Sequence, residues 1–236
     1  MTEQHPNFHQ SLIHGCQEVS PFLVGSIQAP TNDMLSFGKA NHDFFQTLYL
    51  SIKQEKPEAG HSYWLTRTWD SVVWQPIYVA FVSVYGFRTI PDLLQFGQSQ
   101  RNALVSGFCF ADETHHHGEI PDLITQIGQQ LTALLESYRT TMDELFRCRP
   151  GFTRQLLIDL IIRTATRLAQ FAPEFTLQDV QQQAFMWLAA LGLPTERVSL
   201  ITQTDSGFFY IRKSCCLVYK TEAGKLCDDC PRAHQD

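Results

Sequence analysis

The sequence is poor in positive charge, in long apolar runs and in nucleotide-binding signatures. Lys and Arg number 18 against 24 Asp and Glu, a formal charge of −6 over 236 residues. Nucleic-acid binding calls for a basic stripe, so no nucleic-acid partner is expected. The most apolar window, Val72 to Phe87, is sixteen residues long and is interrupted by Gln75, Pro76 and Ser83. That is too short to span a bilayer, so no transmembrane segment is expected, while the composition is compatible with peripheral contact at the inner face of a membrane. The opening MTEQHPNFHQ has no positive region followed by an apolar stretch, so no secretory signal is read and cytoplasmic residence is expected. No Gly-x-Gly-x-x-Gly follows a strand-like run, which leaves nicotinamide and flavin without a fingerprint. Internal repeats and low-complexity tracts are absent too.

What is present is a globular composition, 44% hydrophobic and 18% charged, long enough for one sizeable core. A single domain over residues 1–236 is expected. Residues 1–40 carry turn formers (Pro6, Gly15, Pro21, Gly25, Pro30, Gly38) and read as irregular with one short helix. Asn41 can cap a helix to about Lys53, along which Phe44, Phe45, Leu48, Tyr49 and Ile52 recur at helical spacing. From His61 to Tyr85 the apolar residues keep a three-to-four period, predicting helix, with Pro76 as a kink or a break. Three of the four tryptophans, Trp64, Trp69 and Trp74, fall in this segment. They serve either as core or as an apolar wall for a bulky organic ligand, for which Trp69 and Trp74 are the candidates.

Farther on, Leu104 to Phe110 reads as a strand. The run His115-His116-His117 lacks the spacing of metal ligands and reads as a solvated loop. Leu123, Ile127, Leu131, Leu134, Tyr138, Met142 and Leu145 form a helical seam behind Pro121. A second helix is expected from Arg154 to Phe171, capped by Thr153, with Arg163 and Arg167 together on one face. A third follows the capping-box pattern Thr176-Leu177-Gln178-Asp179 and closes at Gly192. Val198–Thr202 and Gly207–Ile211 are short and β-rich. The fold class is therefore α+β and predominantly helical: a helix-rich core, a few short antiparallel strands and a cysteine-rich C-terminal segment.

That segment, residues 212–236, holds four of the seven cysteines: Cys215 and Cys216 adjacent, then Cys227 and Cys230 around Asp228-Asp229, closed by Pro231. Deprotonated thiols are metal ligands, and a Cys-x2-Cys turn places two sulfurs within reach of one ion or cluster. Adjacent side chains diverge on extended backbone, so the chain must bend at Cys215-Cys216 for all four to converge. Spacing alone leaves four-thiolate zinc and a 2Fe-2S cluster both open. Cys16, Cys109 and Cys148 stand alone and read as small buried hydrophobes.

The run Arg212-Lys213-Ser214-Cys215-Cys216-Leu217-Val218-Tyr219, followed by Cys227-Asp228-Asp229-Cys230-Pro231, resembles the C-terminal signature of FhuF-type ferric-siderophore reductases. The resemblance implies that Cys215, Cys216, Cys227 and Cys230 ligate a 2Fe-2S cluster. It also implies a helix-rich fold shared with the C-terminal part of siderophore synthetases, and a ferric siderophore, of hydroxamate type, as substrate. Reduction would loosen the grip of hard oxygen donors on iron, and the electrons would come from a separate donor. Arg212 and Lys213 are either solvated charges or docking groups for the chelate or the donor. Asp228 and Asp229 should lower the cluster potential, and Arg212, Lys213 and Lys225 should raise it. Two other classes compete: a binding module stapled by zinc, and a ferredoxin-like carrier without a chelate site.

Overall fold

The computed structural model describes residues 7–168, 174–205 and 207–234. Its centre is a helix that is apolar almost all round, α3 (His61–Phe87), with Trp69, Val72, Val73, Ile77, Val79, Ala80 and Val84 all buried. A helix without a polar face must be covered on all sides. Here α1 (Phe8–Val19), α2 (His42–Glu55), α4 (Ile120–Phe146) and α5 (Pro150–Thr166) pack against it. Pro76 lies inside α3 without breaking it. Its ring removes the N–H that would have bonded the Val72 carbonyl four residues back, and the buried Gln98 side chain takes that place, Nε2 donating to Val72 O at 3.0 Å.

The α4 seam is buried as its spacing requires, from Leu123 through Leu131 to Met142. It packs on α6 (Leu177–Ala190), tightly at Gly128, where a Cβ would stand 2.6 Å from the Ala190 Cβ. The capping box at α6 is complete: the Thr176 hydroxyl accepts from Asp179 N, and the Asp179 carboxylate accepts from Thr176 N.

One side of the helical core carries a four-stranded sheet in the order β1 (Gly25–Ile27), β5 (Leu104–Phe110), β4 (Phe96–Arg101), β2 (Leu35–Ser36). The β4/β5 and β2/β4 pairs are antiparallel, whereas β1 joins β5 in parallel. Two small antiparallel pairs complete the described strands: β3 (Thr89–Pro91) with β6 (His115–His117), and β7 (Thr202–Thr204) with β8 (Gly207–Phe209). The architecture is the helix-dominated α+β one expected, with its cysteines gathered at the C-terminus.

Local departures have physical causes. The N-terminal region contains a full twelve-residue helix, with Phe8, His9, Leu12 and Cys16 on its buried face. Asn41 precedes α2 but does not cap it. Its amide closes a bridge to Ser36, donating to Ser36 O at 2.8 Å and accepting from Ser36 N at 3.3 Å. α5 begins at Pro150, earlier than expected, because proline suits the first helical turn. Its expected end near Phe171 lies outside the described residues. Val198 sits in a 3-10 turn, Glu196–Leu200, instead of a strand. The histidine run is the exposed strand β6 instead of a loop, and the His117 ring meets the Thr89 hydroxyl at 3.1 Å. Among the described residues no helix is long and apolar enough to cross a membrane.

Candidate metal centre and the cleft beside it

The C-terminal segment has almost no regular structure, so its shape must come from side-chain contacts. The chief of these is Asp159, a carboxylate in the apolar run Leu156–Ile162 of α5 with only 2% of its side chain exposed. A buried carboxylate is tolerated only when its oxygens are satisfied. Asp159 accepts from Tyr210 Oη at 2.7 Å, Ser214 N at 2.7 Å and Lys213 N at 3.2 Å. The Ser214 hydroxyl also donates to it, and Arg197 approaches to 3.4 Å. The chain immediately before the first cysteine pair is thereby pinned to α5.

The bend demanded at that pair is made by Leu217, which adopts a left-handed conformation (φ 60°, ψ 12°). This is unusual for a branched residue. Its N–H points back to Cys215 Sγ at 3.4 Å. A 3-10 turn, Val218–Lys220, leads into the expected reversal at residues 222–224. Only glycine fits at 224, since a Cβ there would lie 1.9 Å from the Val218 carbonyl oxygen. The tip is anchored by Glu222 N donating to the Glu58 carboxylate at 3.1 Å. The Cys227–Cys230 turn closes with Cys230 N on Cys227 O at 3.0 Å, and Arg212 N donates to Asp229 O at 3.1 Å, binding the two halves side by side.

The four cysteines are brought together in two pairs, and among the described residues no group of three or more potential ligands is gathered tightly enough to hold a metal ion. Cys216 and Cys227 have their sulfurs 3.4 Å apart, and Cys215 interacts with Cys230. Cys216 and Cys230 are buried, and Cys215 and Cys227 are half-buried. Burial alone would disfavour the Cys216 thiolate, but the Val218 N–H, the Arg212 guanidinium and Cys227 outweigh it and bring the thiol below its ordinary range. Burial raises Cys215 and Cys227, and neighbouring cysteines add to the effect. The remote thiols differ: burial pushes both Cys16 and Cys148 up to about 12, leaving them protonated and poor ligands at neutral pH.

Arg212 is not the solvated charge that flanking a strand would suggest. It is 7% exposed, with Nη2 at 3.0 Å from Asp229 Oδ1 and 3.7 Å from Cys216 Sγ. Burial works against its charge, but Cys216 and Asp229 more than compensate and hold the guanidinium above its usual range. Asp229 is also bound by Arg163 of α5, Nε to Oδ2 at 2.8 Å. It therefore does not act on the thiols as a bare negative charge. Lys213 is exposed, as are Lys225 and Asp228.

Against Arg212 and Ser214 opens a cleft of about 330 Å³, lined by no cysteine among the described residues, whose walls include Trp74, Tyr78, Arg67, Asp70 and Arg163. Asp159 lines it as well, and at Ser214 the lining ends one residue from Cys215 in the chain. Arg67 lies 3.7 Å from Asp70, whose carboxyl is raised by burial against the opposing pull of Arg67, Arg212 and Arg163. Of the two tryptophans singled out in the sequence, Trp74 is on the wall, its Nε1 donating to Val105 O at 3.3 Å, whereas Trp69 is 2% exposed and belongs to the core. Lys213 and the histidines of β6 do not line the cleft. Sequence reasoning passed over Arg67, Asp70, Asp159 and Arg163. The one signal available was an aspartate inside the apolar run of α5, four residues before an arginine on the same face.

These features describe a helical protein closed by a C-terminal segment that carries four thiols. Against known families, residues 212–232 match the FhuF 2Fe-2S C-terminal domain, and 2Fe-2S is the cofactor of that domain. The match selects between the two four-thiol groups that spacing left open. The donor set fits in its chemistry, with four thiols in one segment, one pair at 3.4 Å, and N–H and guanidinium donors aimed at sulfur, while the two pairs do not form a closed set of three or more ligands among the described residues. No solved structure matches the chain.

Proposed function

We propose that the chain, as one FhuF-like unit over residues 1–236, is a cytoplasmic ferric-siderophore reductase whose 2Fe-2S cluster is held by Cys215, Cys216, Cys227 and Cys230. The match of residues 212–232 to the FhuF 2Fe-2S C-terminal domain carries this reading. Such a cluster, when bound, supplies one-electron chemistry. Iron(III) in a hydroxamate chelate, the type the family resemblance favours, is the substrate, and gaining one electron weakens its bonds to hard oxygen donors.

The protein's own residues contribute position and environment. Trp74 and Tyr78 offer aromatic faces to an organic chelate, and Arg67 and Arg163 offer N–H donors to its oxygens. Asp159 holds Ser214 at the boundary between the cleft and Cys215. Ser214 adjoins Cys215 in the chain and Arg212 touches the Cys216 sulfur, so a chelate seated in the cleft would be separated from the thiols by these two residues. Lys213, exposed and outside the cleft lining, is available to a separate electron donor. The cleft supports this reading over a ferredoxin-like carrier, which has no use for one.

The test is anaerobic mixing of the dithionite-reduced, desalted protein with ferric hydroxamate siderophores, recording the visible spectrum while trapping iron(II). Reoxidation matched by one equivalent of trapped iron(II) per cluster is expected. Reduced protein that keeps its spectrum in the presence of ferric chelates would overturn the assignment.

A further inference from the structure

We propose that Arg212, held in place by Asp229 and Arg163, is a positioning residue that raises the reduction potential of the four-thiol centre through its contact with Cys216. The inference rests on the 2Fe-2S reading of the four cysteines and goes beyond it by assigning the origin of the potential.

Sequence alone set two aspartates against three cations around the cysteines with no net sign. The structure separates the buried charges from the exposed ones. Asp228, Lys213 and Lys225 are exposed, where water and salt screen them. Arg212 is buried, and its Nη2 reaches both Cys216 Sγ and Asp229 Oδ1. Asp229 in turn is shared with Arg163 at 2.8 Å. Arg212 and Arg163 also face Asp70, and Asp159 is met by Arg197, but the guanidinium of Arg212 is the charged group in contact with the Cys216 sulfur, so the nearest charge to that thiol is positive and poorly screened. A reduced four-thiolate cluster is more negative by one charge than the oxidised one. A fixed cation and a hydrogen bond at sulfur therefore favour the reduced state. The orientation is over-determined. Arg212 N is tied to Asp229 O at 3.1 Å while the side chain is tied to the Asp229 carboxylate, so the guanidinium cannot leave Cys216 without giving up its bond to that carboxylate. Arg212 also lines the cleft, so the group in contact with Cys216 is part of the cleft wall as well.

The test is a redox titration of the purified full-length holoprotein, with dithionite supplying one electron per cluster through soluble mediators, followed by visible absorbance and by the electron paramagnetic resonance of the reduced form. Arg212→Gln should titrate at a more negative potential than wild type, and Arg212→Lys, which keeps the charge and loses the fork, in between. Lys225→Gln, the same formal change at an exposed site two residues before Cys227, should titrate as wild type. An Arg212→Gln protein with an intact chromophore and the wild-type potential overturns the proposal. Should that variant lose its chromophore, Arg163→Gln decides, since Arg163 bonds Asp229: a negative shift supports the proposal, and an unchanged potential overturns it. Wild-type protein lacking iron and acid-labile sulfide would instead defeat the cofactor reading beneath it.

Discussion

The two halves of this molecule are held together by opposite means. Around α3 the chain is regular, its side chains are apolar, and its shape follows from removing them from water. From Tyr210 to Ala233 regular structure all but disappears, and shape follows from a few charged and polar anchors: Asp159 beneath Ser214, the Arg163–Asp229–Arg212 chain, and Glu58 at the tip. Burial tolerates single substitutions because it is spread over many residues. An anchored segment concentrates its dependence on a few positions and, in this case, on a cofactor.

That contrast can be broken most sharply at a ligand. Cys227→Ser should abolish the visible chromophore and the reductase activity together, while far-ultraviolet circular dichroism and thermal unfolding of the helical core change little. A variant that keeps its iron and activity would remove Cys227 from the ligand set. At the next level, Asp159→Ala strands the N–H groups of Lys213 and Ser214 and the Tyr210 hydroxyl, at a cost of about 3 kcal/mol. The expected outcome is reduced iron content and protease cleavage within the C-terminal segment of an otherwise helical protein. Loss of helical dichroism instead would show that the two halves fold as one. Smallest is a purely core effect. Gln98→Ala exposes the Val72 carbonyl to an apolar interior, at about 2 kcal/mol. It should lower the melting temperature without altering the visible spectrum. Pro76→Ala in the same chain restores a backbone donor and should recover part of the loss, a coupling readable from the double-mutant cycle.

Much of the core could be read from spacing. The α4 seam and the α6 capping box depend on residues three and four apart, which a sequence displays directly. α3 could be read as a helix but not as an unbroken one, because the group that compensates for Pro76 is Gln98, twenty-two residues later and on a strand. The first helix was visible in the recurrence of Phe8, Leu12 and Cys16 but was obscured by Gly15 and the turn formers around it. Val198 has strand propensity, yet Ser199 bonds back to Glu196 O and the segment coils against α6. At the site the four cysteines announced themselves, whereas their supports did not. Asp159 and Asp229 act through partners up to 66 positions away in the chain, Arg163 reaching Asp229 across that whole interval. Such pairings follow only from the three-dimensional arrangement.

The three-residue stretch Arg212 to Ser214 touches both the cleft and the thiols, whereas Trp74, Tyr78 and Arg67 are supplied by α3 alone. The molecule is in this respect divided like a lock with an exchangeable face and a fixed bolt. On the proposed reading, changes of preference among chelates would accumulate on the α3 wall without disturbing the four-thiol end. A change at Arg212 would alter both properties at once, so new specificities are expected to arise on the helical walls of the opening and not at that residue.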